Sequence, residues 1–151
     1  LFLLIDTVSK DGNLLLNVGP TARGEFDYRA MDRLAGMGEW MKRHDRAIYG
    51  CGPAPEGFAT PNDCRLTYNA KTNRLYIHML NWPLGALHMD NMAGKFKYAQ
   101  LLNDASEVRW SEPEVQEYTG ITKGGGVGSV SFQLPTLKPN ATVPVLEVFL
   151  K

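Results

Sequence analysis

Residues 11–20, with the sequence DGNLLLNVGP, constrain the fold of this 151-residue chain more than any other segment. An Asp-Gly turn begins the segment and a Gly-Pro turn ends it. A short apolar run between two turns is typical of a β-strand buried on both faces, as in parallel sheets that helices cover. Helical patterns lie on either side, at residues 1–9 and 27–44. We therefore predict a helix, a strand over residues 13–18 and a second helix, in that order.

This predicted strand implies an incomplete domain. The backbone groups of a strand need a neighbouring strand, and no second strand of the same type follows in the sequence. We expect residues 1–50 to be part of an α/β unit whose other strands lie upstream of residue 1 or on another chain. Its apolar helix faces would then lack a partner, which predicts self-association of the chain. In the alternative, a free-standing protein, the helices pack on the rest of the chain and the strand finds another partner.

The predicted second helix contains two glycines, Gly36 and Gly38. Glycine inside a helix costs about 1 kcal/mol relative to alanine. The pair suggests that another element packs closely against this helix, with a functional kink as the alternative.

The hydrophobic pattern changes after a Gly- and Pro-rich stretch, which predicts a linker at residues 51–57. Beyond it, apolar and polar residues alternate in short runs with Gly, Pro and Asn between them. Runs of this kind at nearly even spacing are typical of an antiparallel β-sandwich, which we place at residues 58–151. The predicted strands are 66–70, 74–80, 86–89, 96–102, 107–110, 116–118, 129–134 and 143–150.

Charge and composition exclude several classes of protein. Sixteen basic and sixteen acidic residues cancel, and no run of like charge occurs, so a nucleic-acid partner is not expected. No apolar stretch reaches the roughly 20 residues that a membrane helix needs, so a membrane partner is not expected either. This composition is compatible with neutral ligands such as sugars. Cys51 and Cys64 lack the spacing of a zinc site or a redox motif, which favours two separate buried thiols over the alternative, a disulfide.

Few residues are candidates for chemistry. His44, His78 and His88 lack the spacing of metal ligands, and we predict neither a metal nor a cofactor. Trp82, in an Asn-Trp-Pro loop, could stack on a sugar ring, but a side chain that covers the end of the sandwich is the favoured interpretation. The acids of the first fifty residues fall in helices, turns or caps, not at the end of the predicted strand. We therefore predict no catalytic residue in this chain.

Asn140-Ala141-Thr142 fits the acceptor pattern for N-linked glycosylation. The pattern matters only if the chain is secreted through a eukaryotic pathway.

The segment at residues 4–20 closely resembles a stretch of the α-L-fucosidases of glycoside hydrolase family 29. Its sequence is LIDTVSKDGNLLLNVGP. The resemblance continues through Gly24, the Gly-Glu-Trp at 38–40 and the Ala-Ile-Tyr-Gly at 47–50. It is weaker from residue 74 to residue 110, where Leu-Tyr-Ile-His and the Asn-Trp-Pro of Trp82 match the C-terminal domain of that family. Beyond residue 110 only the strand pattern is shared.

The resemblance implies a (β/α) barrel followed by a β-sandwich, with residues 13–18 as the last barrel strand and 27–44 as the last barrel helix. It implies a retaining enzyme that hydrolyses α-linked L-fucose from glycans, that is secreted, periplasmic or lysosomal, and whose catalytic aspartate and acid/base carboxylate lie upstream. Asn17, with Gly19 and Pro20, would end the last strand, where Asn17 either contributes to the substrate pocket or anchors the next loop. The sandwich would be a structural accessory domain or, alternatively, a non-catalytic carbohydrate-binding module.

Overall fold

A computed structural model of the chain describes residues 1–112 and 128–151. The helices are α1 (Phe2–Val8) and α2 (Tyr28–His44), and a 3₁₀ turn at Asp45–Ala47 follows α2. The strands in this part of the chain are β1 (Cys64–Asn69), β2 (Arg74–Met79), β3 (Ala86–Met89), β4 (Phe96–Leu101), β5 (Trp110–Ser111), β6 (Val130–Gln133) and β7 (Val145–Leu150). Neither helix is long and apolar enough to cross a bilayer.

Helix α2 begins where the sequence predicts because Asp27 caps it. The Asp27 carboxylate accepts a hydrogen bond of 2.9 Å from the backbone N–H of Arg29, one of the amides that the first helical turn leaves unpaired. The last turn carries Lys42, Arg43 and His44, where positive charge interacts favourably with the helix dipole. The helix therefore has a favourable residue at each end.

The strands form two antiparallel sheets, which confirms the predicted β architecture for the described residues. The order is β1-β2-β7-β4 in the larger sheet and β3-β6-β5 in the smaller one. The first hairpin shows how local chemistry fixes the register. The Asn69 side chain accepts hydrogen bonds from the backbone N–H groups of Lys71 and Thr72, at 3.1 and 3.2 Å, and Asn73 adopts the left-handed conformation with φ 53°. The next pair across the hairpin is Asn69 and Arg74.

Strand β2 is buried on both of its faces. Leu75, Ile77 and Met79 point into the core between the two sheets, together with residues of β3, β4, β6 and β7. Tyr76 and His78 point to the opposite face of the larger sheet, as the alternation of residues along a strand requires. A second layer must therefore cover that face.

That layer is helical. Ile5 of α1, Trp40 of α2 and Ile48 form a buried cluster with Tyr76 and Val145 on the outer face of the larger sheet. The described residues thus form three layers, in which the smaller sheet, the larger sheet and the helices follow one another. The helices pack on the sandwich, as they would in the free-standing alternative.

The structure has no strand at residues 13–18, contrary to the prediction. Residues 12–19 form neither helix nor strand, and Leu15 and Leu16 are 86% and 47% exposed. A strand is stable only when its backbone groups pair with a neighbouring strand. No strand of the described residues lies beside residues 13–18 to provide that pairing. The nearest pairing is a single bridge between Pro20 and Phe26.

Other differences from the predicted elements are small. β5 covers two residues, Trp110–Ser111, where a strand at 107–110 is predicted, and an isolated bridge joins Glu107 to Gln100. β7 begins two residues later than predicted. The predicted strand at 116–118 and the triple glycine at 124–126 lie outside the described residues.

The predicted linker, residues 51–57, contacts the sandwich at several points, including Ala54 against its core and the Gly57 carbonyl, which accepts from Lys95 Nζ at 3.2 Å. Gly52 and Tyr68 exchange two backbone hydrogen bonds of 2.9 Å, so the chain pairs with β1 as it leaves the helical layer. The division into residues 1–50, 51–57 and 58–151 stays a prediction.

Candidate functional site

The junction between the helices and the larger sheet contains most of the buried polar chemistry of the described residues. Trp40, at the end of α2, is its centre and is only 5% exposed. Its indole Nε1 donates a hydrogen bond of 2.8 Å to the backbone carbonyl of Val143, just before β7. A buried tryptophan needs such a partner for its N–H, and this bond sets the position of α2 relative to the sheet.

Two histidines lie against Trp40. The His44 ring stacks on the indole, with the centroids 4.7 Å apart and the planes at 6°, and the His78 ring lies 6.2 Å away. His44 Nδ1 donates to the backbone carbonyl of Trp40 at 2.8 Å. A carbonyl can only accept, so the proton of neutral His44 is on Nδ1.

His78 belongs to a short chain of hydrogen bonds between the two layers. Thr67 Oγ1 donates to the backbone carbonyl of Ala47 at 2.7 Å, so the same hydroxyl accepts from His78 Nε2 at 2.9 Å. His78 is fully buried, and burial followed by repulsion from His44 lowers the pKa of its imidazole to about 3. Burial also lowers the pKa of His44. Both rings are therefore neutral at pH 7.

Glu147 is a buried acid on the same face of the sheet, with 4% of its side chain exposed. It accepts hydrogen bonds from Gln100 Nε2 at 2.6 Å and from the Tyr76 hydroxyl at 3.3 Å. Arg46 of the 3₁₀ turn forms an ion pair with it at 3.1 Å, and Arg74 lies 4.0 Å away. These cations and donors compensate for the loss of water around the carboxylate. Burial and the negative charge of Glu147 raise the pKa of Tyr76, so its phenol stays protonated and donates.

Helix α1 is held by a second ion pair. Asp6 Oδ1 accepts from Arg65 Nε of β1 at 2.6 Å, and Lys10 Nζ contacts the other carboxylate oxygen at 2.7 Å. Hydrogen bonds from Lys10 and Arg65 lower the pKa of Asp6. The Arg65 guanidinium also lies 5.4 Å from the Phe2 ring centroid. Asp6 and Glu147 are thus both committed to holding helical elements against the sheet.

This junction is a structural joint. Its indole and imidazoles are packed against one another, and each of the two acids described here is neutralised by two cations. Acid–base hydrolysis of a glycoside needs two carboxylates that face one substrate bond. Asp6 and Glu147 instead belong to separate networks on the covered face of the larger sheet.

Several large apolar side chains of the first fifty residues are exposed. Besides Leu15 and Leu16, they include Met31 of α2, which is 51% exposed. Leu34 and Gly38 lie on the same side of α2 as Met31, since residues three, four and seven apart share a helix face. Apart from the adjoining backbone of α2 itself, no described atom lies within 4 Å of the place where a Cβ would be at Gly36 or Gly38, so the close packing that these glycines suggest is not provided by the described residues.

The two predicted sugar-contacting residues lie apart in the fold. Asn17 is exposed in the apolar segment 12–19. Trp82 is half-buried in the loop after β2, packs against the sandwich core and donates from Nε1 to the Pro135 carbonyl at 3.1 Å. This placement resembles a cover for the end of the sandwich. A role in sugar binding stays a prediction for both residues.

His88 and the two cysteines are the remaining candidates for chemistry. His88 is exposed on β3, far from the buried pair formed by His44 and His78, and no group of metal-ligating side chains occurs among the described residues. Cys51 and Cys64 are free thiols; Cys64 is buried, as predicted, and Cys51 is only half-buried. Burial raises the pKa of each thiol to about 11, so neither is a reactive thiolate at neutral pH.

Sequence reasoning missed Glu147 and the pair formed by Asp6 and Arg65. A signal for Glu147 was present: it is the single charged residue in the apolar run VPVLEVFL, and period two places it on the covered face with Val145. The pairing of Asp6 with Arg65 spans 59 residues and leaves no local trace in the sequence.

The sequence of this chain is similar to those of known α-L-fucosidases. A family model described as Alpha-L-fucosidase matches residues 1–46. The chain is 37% identical to an α-L-fucosidase of Branchiostoma floridae over 84 residues, which is 54% of this chain and 18% of that protein. It is 29% identical to the human tissue α-L-fucosidase over 140 residues, which is 91% of this chain and 27% of that protein.

Solved structures give the same result. The α-L-fucosidase isoenzyme 1 of Paenibacillus thiaminolyticus superposes with a TM-score of 0.79 at 32% identity, over 97% of this chain and 32% of that protein. The Thermotoga maritima α-fucosidase superposes with a TM-score of 0.75 at 25% identity, over 98% of this chain and 33% of that protein. The chain therefore spans about a third or less of the proteins that it matches.

Proposed function

We propose that the chain is the C-terminal part of an α-L-fucosidase, as the sequence resemblance predicted, and that the whole enzyme hydrolyses α-linked L-fucose from glycoconjugates. In this proposal the sandwich is a structural accessory domain and its partner is an upstream (β/α) barrel of the same protein. The fucosylated glycan binds to that barrel. No cofactor or metal takes part.

The exposed segment 12–19 is the observation that carries the proposal. Leu15 and Leu16 lie in the region that matches the family model, yet they are exposed and unpaired with any strand of the described residues. Exposing a large apolar side chain forfeits about 1.5–3 kcal/mol relative to burying it. The segment has the composition of a strand buried on both faces, and a neighbouring barrel strand on each side would satisfy its backbone and cover its side chains.

Helix α2 supports the same proposal. In a barrel, each strand is followed by a helix that covers its outer side, and α2 follows the segment at residues 12–19 along the chain. On the side of α2 that carries Met31 and Gly38, Met31 is 51% exposed and the space beside Gly38 is open, so Gly38 would let a neighbouring backbone approach closely. Its other side is fixed by Trp40. The helix would therefore join the barrel to the sandwich.

The proposed reaction follows from the family resemblance and from the two-carboxylate mechanism of retaining glycosidases. An aspartate attacks the anomeric carbon, while an acid/base carboxyl protonates the leaving oxygen. Water then displaces the aspartate from the glycosyl-enzyme, and the same carboxyl accepts the water proton. Both carboxylates would be supplied upstream. Asn17, at the end of the proposed last strand, would line the floor of the substrate pocket or fix the loop after it.

A hydrolysis assay tests this proposal. The whole protein should release the aryl alcohol from an aryl α-L-fucoside, and nuclear magnetic resonance should show α-L-fucose as the first product. The isolated 151-residue chain should be inactive. Turnover by the isolated chain that is lost on replacing one of its own acids would overturn the proposal, as would a first product of β configuration from the whole protein.

The alternative, a carbohydrate-binding module, makes a different prediction. Binding through Trp82 would need its ring face to be open to the sugar, and Trp82→Ala would then abolish calorimetric binding of a fucosylated oligosaccharide by the chain. If the sandwich is a structural accessory domain, no such binding is expected, because Trp82 packs against the sandwich core.

A further inference from the structure

The loop between β6 and β7 contains a motif that the proposed function does not use. Asn140-Ala141-Thr142 is the single Asn-X-Ser/Thr sequence in the chain, and the intervening residue is not proline. An acceptor site for N-linked glycosylation must present its asparagine and hydroxyl residue on an accessible loop. Asn140 and Thr142 are both exposed, in a run of bends that ends just before β7.

The ends of this loop are fixed, so its exposed middle is a stable feature of the surface. Leu134 and Val143 are buried on either side of it, and the Val143 carbonyl accepts the indole hydrogen bond of Trp40. Within the loop, Lys138 Nζ donates to the backbone carbonyl of Thr142 at 3.1 Å. The Asn140 side chain is therefore displayed outward by a loop whose neighbours are anchored.

The surroundings of Asn140 can accommodate a sugar. The loop forms one wall of an open cleft of about 430 Å³, and the polar side of α2 forms the other wall. Glu39, Lys42 and Arg43 are exposed along that wall and offer both acceptors and donors to hydroxyl groups. This polar side lies across the helix from Leu34 and Gly38. A glycan here would leave the apolar side of α2 free for another domain.

We propose that Asn140 is an N-glycosylation site when the chain passes through a eukaryotic secretory pathway. The Asn140 Nδ2 atom would form a bond to the anomeric carbon of an oligosaccharide carried on a lipid pyrophosphate. The bond from that carbon to the pyrophosphate oxygen breaks, the lipid pyrophosphate leaves, and the Nδ2 atom loses one proton. No oxidant or reductant is required. The inference is independent of the proposed enzymatic function.

The chain, preceded by a cleavable secretion signal, can be expressed in a eukaryotic cell line and analysed in both cell extract and medium. We expect one N-glycan, seen as a single mobility shift that an N-glycan-removing amidase abolishes while it converts Asn140 to aspartate. Asn140→Gln and Thr142→Ala should each abolish the shift. Thr142→Ser, which keeps the hydroxyl, should retain it.

The matched control is Asn81→Gln, because Asn81 is also exposed in a loop but is followed by Trp82 and Pro83. This variant should be glycosylated like the parent chain. A chain whose signal has been removed but which carries no glycan would overturn the assignment. A shift that persists in Asn140→Gln would overturn it too.

Discussion

Trp40 Nε1 donates a hydrogen bond of 2.8 Å to the carbonyl oxygen of Val143, 103 residues further along the chain. This bond joins the last part of α2 to the chain just before β7, the strand between β2 and β4 in the larger sheet. The helix is thereby fixed at one end, near the sandwich. Its other end, with Tyr28 79% exposed and Met31 51% exposed, has few apolar neighbours among the described residues.

Removing this bond should weaken the joint. Trp40→Phe leaves the buried Val143 carbonyl without its donor, and we expect the free energy of unfolding to fall by about 1–3 kcal/mol. Trp40→Ala also creates a cavity and should cost about 3–5 kcal/mol. Urea unfolding measures both. Tyr49→Phe, at a residue that is 70% exposed, is the control and should have no measurable effect. An unchanged midpoint for Trp40→Phe would mean that this bond does not hold the helix.

The buried carboxylate of Glu147 gives a second prediction. Glu147→Gln keeps the shape but removes the charge that faces Arg46 and Arg74, and we expect a loss of about 2 kcal/mol of stability. This is less than the roughly 3–5 kcal/mol for a fully buried pair, because Arg46 is 51% exposed.

Glu39→Gln is the matched control for Glu147→Gln. Glu39 pairs with Lys42 at 2.5 Å on the surface, with both side chains about 70% exposed, so its loss should change stability by less than about 0.5 kcal/mol. Equal effects of the two substitutions would show that the Glu147 network contributes no more than a surface pair.

Stability should fall in weak acid because of His78. Its folded pKa, about 3, lies below the ordinary value of 6.5, so the unfolded chain binds more protons between these two values. Stability is therefore fully present above pH 7 and is lost as the pH falls through 6.5 towards 3. For this one group the loss from pH 7 to pH 5 is about 2 kcal/mol. His44 shifts in the same direction and adds to it.

Substitutions separate this effect from general acid denaturation. His78→Gln should flatten the dependence of unfolding free energy on pH between 5 and 7, whereas Asn81→Gln, an exposed change that removes no titratable group, should leave the slope unchanged. If the slope of His78→Gln equals that of the parent chain, His78 is not the group responsible.

The sandwich was more predictable than the joint. The strand predicted at 74–80 is present as β2, with Leu75, Ile77 and Met79 on one face and Tyr76 on the other, because side-chain direction in a strand is a local property. The contact between Trp40 and Val143 was not predictable, since nothing in the spacing of two residues so far apart reveals their proximity. Only the buried charge at Glu147, within an apolar strand, carried a signal that a second layer covers that face.

The failure at residues 13–18 has a different physical cause. The composition of this segment is typical of a strand that is buried on both faces. The described residues do not bury it in that way. Leu15 is therefore exposed, although the sequence around it has the pattern of a core strand. Local pattern predicts a strand only where partner strands exist to accept its hydrogen bonds.

Asn17 should behave differently in the chain and in the proposed whole enzyme. In the isolated chain it is exposed, so Asn17→Leu should change stability by less than about 0.5 kcal/mol. In the whole enzyme its amide would satisfy backbone groups of the next loop, and the same substitution should cost about 1–3 kcal/mol. Thermal unfolding and turnover of an aryl fucoside measure this. If both stay at the parent values in the whole enzyme, Asn17 has no positioning role.

Hydrogen exchange at residues 13–18 tests most directly whether this segment is a strand completed by an upstream domain. Mass spectrometry of peptides should show rapid exchange there in the isolated chain, with strand β2 (Arg74–Met79) protected as the internal reference. In the whole protein we predict that residues 13–18 become as protected as β2, because their amides then bond to neighbouring strands. Exchange that stays equally rapid in the whole protein would contradict the proposal.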